Sequence, residues 1–132
     1  MSRANSATRR TRVLIVDDHP MTRAGLVHVI SHQPDMVVCG EAENAAKALA
    51  AVDVGKPDLV LADITLPGKS GLELIKDIKA MHPRLPTLVL SMHDESLYAE
   101  RALRAGARGY ITKQAVSDTV MTVPVARTIL PS

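Results

Sequence analysis

Four short apolar runs in this chain each end directly before polar residues, and this feature most constrains the fold. The runs are residues 13–16 before Asp17 and Asp18, 59–62 before Asp63, 87–90 before Ser91, and 109–112 before Lys113. Short, nearly continuous apolar runs are typical of strands buried on both faces of a parallel sheet. The carboxyl ends of such strands open on one edge, where ligands bind. The pattern therefore predicts that three carboxylates, a hydroxyl and an ammonium group meet in one crevice.

Helical patterns lie between the predicted strands, which indicates an α/β fold of five βα units with right-handed crossovers. Residues 36–39 predict one further strand. On the third helix, Leu72, Ile75, and Ile78 or Lys79 have core-facing spacing. The fifth helix, from about residue 116, contains Pro124, which removes a backbone hydrogen bond. The other helices are expected to begin near Pro20, after an N-cap at Asn44, after the Gly/Pro-rich loop 66–71, and near Glu95.

The composition indicates one folded, soluble domain with an aliphatic core. The chain has 132 residues, which is enough for a single hydrophobic core. Aromatic residues make up 2%, with neither Trp nor Phe, so no stacking platform for single-stranded nucleic acid is expected. The formal net charge of +2 is too small to favour a nucleic-acid partner.

The terminal arm, the apolar runs and the cysteine count bear on location. Residues 1–11 form a basic arm that we expect to be disordered. No run approaches the roughly 20 apolar residues of a membrane span, and the first run is too short for a signal peptide. The single Cys39 leaves no partner for a disulfide within the chain. We therefore expect a cytoplasmic protein without a membrane partner.

The predicted crevice has the chemistry of phosphoryl transfer. Unpaired carboxylates about 4 Å apart repel each other by about 4 kcal/mol at an effective dielectric constant of 20. A divalent cation relieves this repulsion, and a site of oxygen ligands suits Mg²⁺. Asp63, which stands alone after its strand, is then the candidate nucleophile that accepts a phosphoryl group as an acyl phosphate. The cation, Lys113 and Ser91 would neutralise the phosphoryl oxygens.

Taken singly, each of these residues also has a structural interpretation. An Asp-Asp pair after a strand is often a helix cap, Asp63 could be a turn residue, Ser91 a strand-end cap, and Lys113 a surface charge. The five histidines have no metal-ligand spacing. His19 and His93 lie near the predicted crevice, but the predicted chemistry does not require either of them. The functional interpretation depends on the convergence of the whole set at parallel strand ends.

Three segments resemble the receiver domain of bacterial two-component response regulators. Residues 13–20 end in Asp-Asp-His-Pro, which is typical of the LuxR/NarL type, residues 63–73 resemble the phosphoacceptor segment, and residues 106–113 resemble the last strand. The match covers about Arg12 to Ala115. The resemblance implies a receiver domain at residues 12–132, with a doubly wound, flavodoxin-like (βα)₅ fold and strand order 2-1-3-4-5.

The resemblance also implies a role for each site residue. Asp63 would be the phosphorylated aspartate. Asp18 and Asp63 would bind Mg²⁺ (or Mn²⁺) directly, Asp17 would bind it through water, and Thr65 through its backbone carbonyl.

The remaining implied roles concern catalysis and the conformational switch. Lys113 would contact the phosphoryl group, Ser91 would turn toward it, and Tyr110 would follow by moving from an exposed to a buried position. Met92 stands where many receivers have a small residue, so we expect slow access of water and a long-lived phosphorylated state. Gln114 replaces a proline that often follows the lysine.

The partners expected from the resemblance are a cognate sensor histidine kinase and, on phosphorylation, a second copy of the chain. LuxR/NarL-type regulators carry a DNA-binding domain after the receiver, and none follows Ser132. We therefore expect transcription to be regulated only through an output domain that this chain lacks. The predicted protein is a regulator that phosphorylates and dephosphorylates itself, and not a metabolic enzyme.

Three alternatives stay open at this point. A degenerate receiver would bind partners without phosphorylation. An aspartyl-nucleophile phosphatase of the haloacid-dehalogenase kind would share strand-end aspartates and Mg²⁺, but its nucleophile begins an Asp-x-Asp motif after the first strand. A nucleotide-binding fold is the weakest alternative, because neither glycine-rich phosphate motif follows a strand.

Overall fold

A computed structural model describes residues 10–63, 71–91 and 96–112 of the chain; side chains are not described for Ser91, residues 96–99 and Thr112. Strands and helices alternate throughout these residues, as predicted. The elements are β1 Thr11–Val16, α1 Pro20–Ser31, β2 Met36–Ala42, α2 Ala45–Gly55, β3 Leu59–Asp63, α3 Gly71–Met81, β4 Thr87–Ser91, α4 Ser96–Ala105 and β5 Gly109–Thr112. None of the helices in the described ranges is long and apolar enough to cross a bilayer.

The five strands form one parallel sheet in the order β2-β1-β3-β4-β5, which confirms the predicted topology. β3 lies at the centre, between β1 and β4. Val16 of β1 pairs with Ala62 of β3, and Asp63 pairs with Leu90 of β4. The polar residues that follow these strands therefore lie at one edge of the sheet.

Both faces of the sheet are covered because successive strand residues point to opposite sides. Val13 and Ile15 pack with Leu26 and Ile30 of α1 on one face. The alternate residues of the strands, such as Leu14 and Val16, point to the other face and pack with α2 and α3. This second cluster includes Leu14, Val16, Ala48, Val52, Leu74 and Ile78. A third cluster joins α3 and α4 to β4 through Ile75, Val89, Ala102 and Ala107. The core is aliphatic, as the composition requires.

Local sequence signals explain where the helices begin and end. Pro20 occupies the first turn of α1, where its missing N–H costs no hydrogen bond. The side chain of Asn44 accepts a hydrogen bond from the backbone N–H of Lys47, 2.8 Å away, which confirms the predicted N-cap of α2. After α4, Gly106 adopts a φ of 122°, a conformation that favours glycine.

Three predicted details differ from the structure. Strand β1 begins at Thr11, the last residue of the predicted arm, because its backbone N–H donates to the carbonyl of Asp35 at 2.8 Å. Strand β2 continues beyond the predicted Cys39 to Ala42, since it pairs with the whole length of β1. On α3, Leu74 is buried whereas Leu72 is half-buried and Lys79 is exposed.

Candidate functional site

Asp17 and Asp63 lie side by side at the carboxyl edge of the sheet. Since Val16 pairs with Ala62, the next residue of each strand stands level with the other. Alternation along the strands directs both side chains to the face covered by α1. Asp17 is 0% exposed and Asp63 is 1% exposed. Two carboxylates are therefore held together in a nearly buried position.

The chain turns sharply after Asp17, and this turn adds Asp18 to the pair. The backbone N–H of His19 donates to Oδ1 of Asp17 at 2.8 Å. His19 has extended backbone angles, and α1 begins at the next residue, Pro20. The carboxylates therefore lie at the N-terminal end of α1, where the helix dipole stabilises negative charge. Asp17 does not cap α1, because the N-cap residue is His19, whose side chain accepts no hydrogen bond from the first turn of the helix among the described residues.

Arg23 stabilises the same edge from the first turns of α1. Its guanidinium donates to the backbone carbonyl of Asp17 and, through Nε, to Oε1 of Glu41 at 3.1 Å. The backbone N–H of Asp17 donates to the carbonyl of Ala42 at 3.0 Å. These contacts join the ends of β1 and β2 to α1 and so fix the position of the carboxylates.

His19 belongs to the same cluster, although sequence reasoning assigned it no role. Its Nδ1 lies 3.1 Å from Oδ1 of Asp18, 3.2 Å from Oδ1 of Asp17 and 3.9 Å from Oδ2 of Asp63. The ring is 59% exposed on its outer side. Its position directly between the Asp pair and the helix-initiating Pro20 was the sequence signal that identified it as a neighbour of the site.

The donor set fits a divalent cation. One ligand atom from each of Asp17, Asp18, His19 and Asp63 lies within 4.8 Å of the others. Oδ1 of Asp18 is shielded from solvent and receives no hydrogen bond from the described residues. Its 3.1 Å contact with Nδ1 of His19 lacks hydrogen-bond geometry, and a buried carboxylate oxygen in that position is costly unless a cation balances it. Hard carboxylate oxygens at this spacing suit Mg²⁺ or Mn²⁺.

The other predicted site residues are described only in part. The backbone of Ser91 ends β4 at the same edge and pairs with Thr112, the residue before Lys113. Tyr110 is half-buried and packs against the cluster that joins α3, α4 and β4. The remaining predicted positions lie outside the described residues: Thr65, Met92, His93, Lys113, Gln114, the helix from about 116 with Pro124, and residues 1–9 of the arm.

Known proteins resemble this chain both in sequence and in structure. Residues 13–123 match the response regulator receiver domain. The nitrate/nitrite response regulator protein NarL of Escherichia coli K12 is 38% identical over 103 residues, which are 76% of this chain and 47% of NarL. The DNA-binding transcriptional activator DevR/DosR of Mycobacterium tuberculosis is 37% identical over 102 residues, which are 77% of this chain and 47% of that protein. The chain spans about half the length of the curated relatives it matches.

Solved structures agree with this assignment. The signal receiver domain of the putative response regulator NarL from Mycobacterium tuberculosis has a TM-score of 0.84 and 28% identity, over 93% of this chain and 99% of that one. A LuxR-family two-component response regulator from Aurantimonas has a TM-score of 0.83 and 34% identity, over 90% of this chain and 85% of that one. The predicted resemblance to LuxR/NarL-type receivers is confirmed. The chain therefore belongs to the response regulator receiver domain family.

Proposed function

We propose that this chain is a signalling switch that accepts a phosphoryl group on Asp63 from a sensor histidine kinase. The observation that carries the proposal is the position of Asp63. Its carboxylate ends the central strand, is 1% exposed, and shares one cluster with Asp17 and Asp18. A carboxylate held in this way is protected from bulk water, while its neighbours provide the charge that a cation needs.

The transfer step forms one bond and breaks another. An Oδ atom of Asp63 bonds to phosphorus while the bond from phosphorus to the kinase histidine nitrogen breaks. The imidazole leaves with the electron pair and takes up a proton from water. In such a loose transition state the protein mainly positions groups and neutralises charge on the phosphoryl oxygens.

Asp17, Asp18 and Asp63, with the backbone carbonyl of Thr65, would hold Mg²⁺ (or Mn²⁺). When bound, the cation supplies positive charge to the phosphoryl oxygens. Asp18 supports this role because its Oδ1 atom is buried without a hydrogen bond from the described residues. We propose that Lys113 contacts a second phosphoryl oxygen and that the Ser91 hydroxyl contacts a third.

The proposed output is a change of packing at the carboxyl edge. Ser91 and Tyr110 lie on the adjoining strands β4 and β5, and we propose that a change at Ser91 is transmitted to Tyr110. A cognate sensor histidine kinase, a homodimer of the phosphorylated chain and a DNA-binding output domain outside this chain would be the partners of a cytoplasmic protein. The matched relatives are named as transcriptional regulators, which supports a role in transcription.

Intact-mass spectrometry after incubation with acetyl phosphate and Mg²⁺ tests the proposal. We expect the full chain to gain one phosphoryl group, about 80 Da, and to lose that gain in Asp63→Asn or without Mg²⁺. The matched control is Asp35→Asn, which removes an exposed carboxylate before β2, at the opposite edge of the sheet, and should leave phosphorylation intact.

Two results would overturn the proposal. Wild-type protein that gains no phosphoryl group would identify a receiver that acts without phosphorylation. An Asp63→Asn variant that is still modified would mean that the acceptor was misassigned. The decay of the adduct also tests the expectation for Met92, because loss within seconds at neutral pH contradicts slow access of water.

A further inference from the structure

The side chain of His19 is directed toward the acidic cluster instead of away from it. The residue precedes α1, and Pro20 restricts the backbone just after it. The backbone N–H of His19 also donates to Oδ1 of Asp17 at 2.8 Å, so both the main chain and the ring of His19 contact the same carboxylate. The ring is thus anchored beside the cluster by its own backbone.

The distances from Nδ1 of His19 to the carboxylate oxygens are compatible with ligands around one cation. For metal–ligand bonds of about 2.1 Å, neighbouring ligands of an octahedron are about 3.0 Å apart and opposite ligands about 4.2 Å apart. Nδ1 of His19 lies 3.1 Å from Oδ1 of Asp18, which is the distance of neighbouring ligands, and 3.2 Å from Oδ1 of Asp17, which is a hydrogen-bond distance. Its 3.9 Å distance from Oδ2 of Asp63 lies between the two values.

We propose that His19 provides a nitrogen ligand in this site and thereby shifts its preference from Mg²⁺ toward divalent transition metals such as Mn²⁺ and Co²⁺. The inference rests on the metal site of the proposed function and adds a ligand to it. Imidazole nitrogen suits transition metals, whereas Mg²⁺ prefers oxygen ligands and retains its waters. A cluster of three carboxylates and one imidazole should therefore differ more in its affinities for Mg²⁺ and for transition metals than a cluster of three carboxylates alone.

Ligation requires the lone pair of Nδ1. In the metal-bound form the ring proton therefore resides on Nε2, and any second proton is released to water. Because the ring is 59% exposed, exchange of this proton with solvent is unhindered. The carboxylates contribute the negative charge that attracts any divalent cation, and His19 contributes the preference for transition metals.

Titration calorimetry with MgCl₂, MnCl₂ and CoCl₂ on the unphosphorylated full chain tests the proposal. The variant is His19→Phe, which keeps a ring but removes both nitrogens. We expect the affinity for Co²⁺ to fall at least about tenfold more than the affinity for Mg²⁺. The matched control is His82→Phe, which changes a histidine directly after α3, at the opposite edge of the sheet from the cluster, and should leave all three affinities unchanged.

Nitrogen NMR of the wild-type chain gives a second test that needs no variant. Addition of diamagnetic Zn²⁺ should shift the Nδ1 resonance of His19, which is assigned because it disappears in His19→Phe. If Mg²⁺ and Co²⁺ affinities fall in parallel in His19→Phe, or if Zn²⁺ leaves the His19 ring unperturbed, His19 is not a ligand and only this inference fails. If no metal binds the wild-type chain, the metal site of the proposed function fails as well.

Discussion

Replacing Asp18 by Asn tests directly whether the carboxylate cluster opposes folding in the absence of a cation. The substitution keeps the size of the side chain and removes one negative charge. Asp17 and Asp18 are neighbours in the chain, so they repel each other in the unfolded state too. The repulsion between Asp18 and Asp63 arises only when β1 and β3 pair, and it is this contribution that the variant removes.

The magnitude follows from the separation of the charges. At the upper limit of 4.8 Å and an effective dielectric constant of about 20, two unit charges repel each other by about 3.5 kcal/mol. Asp18 is 31% exposed, so solvent screens part of this repulsion, and the N-terminal end of α1 offsets another part. We expect Asp18→Asn to raise the free energy of unfolding by about 1–2 kcal/mol, or roughly 3–8 °C in Tm.

Urea and thermal denaturation followed by far-UV circular dichroism provide the assay, since the chain has no Trp for fluorescence. The measurement is made in excess EDTA at about pH 8. Addition of Mg²⁺ should then reverse the order of stability. A cation at 100 times its Kd stabilises the wild type by about 2.7 kcal/mol, whereas the variant with one fewer carboxylate gains less.

The exposed carboxylate of Asp35 provides the control, and Asp35→Asn should change stability by less than about 0.5 kcal/mol in either condition. The reasoning is refuted if Asp18→Asn is no more stable than the wild type in EDTA. It is also refuted if Mg²⁺ stabilises both proteins equally, because Asp18 would then not contribute to cation binding.

Other predictions concern the framework around the site. Gly109→Ala would place a Cβ 2.5 Å from Cδ1 of the buried Leu88 and should lower the free energy of unfolding by about 1–3 kcal/mol. Gly25→Ala on α1 meets nothing within 4 Å and should raise the free energy of unfolding by about 0.5–1 kcal/mol. Urea denaturation that shows changes of the same sign for both variants would contradict this. Asn44→Ala should cost about 1 kcal/mol in the same assay because α2 loses its N-cap, and no loss would mean that the cap is not used. Burial raises the pKa of the Cys39 thiol, so its alkylation by iodoacetamide at about pH 8 should be slower than that of free cysteine. The unfolded chain loses this proton first, so stability should fall from about pH 8.5 upward, until the folded thiol also ionises, and Cys39→Ala should lack that part of the fall.

Much of the fold could be predicted because the decisive signals are local. Each buried strand is a short apolar run, and the cap at Asn44 depends on a contact with Lys47, only one turn further along the chain. The core face of α3 was harder to predict from the sequence, since Leu72 and Leu74 are both apolar and both lie close to the side of the helix that faces the core. Leu74 is buried because α3 packs on the sheet beside α2, while Leu72 lies toward α4 and stays half-buried.

The sequence by itself determined that three carboxylates end two buried strands, because the position of a residue at a strand end is a local property. Only the tertiary structure decided which of these residues are neighbours. Asp17 and Asp63 are far apart in the chain, and they meet because the sheet order brings β1 beside β3 with Val16 level with Ala62. The ring of His19 joins them through a turn whose direction depends on how α1 packs on the sheet. Packing of this kind depends on the whole chain at once, and no local pattern encodes it.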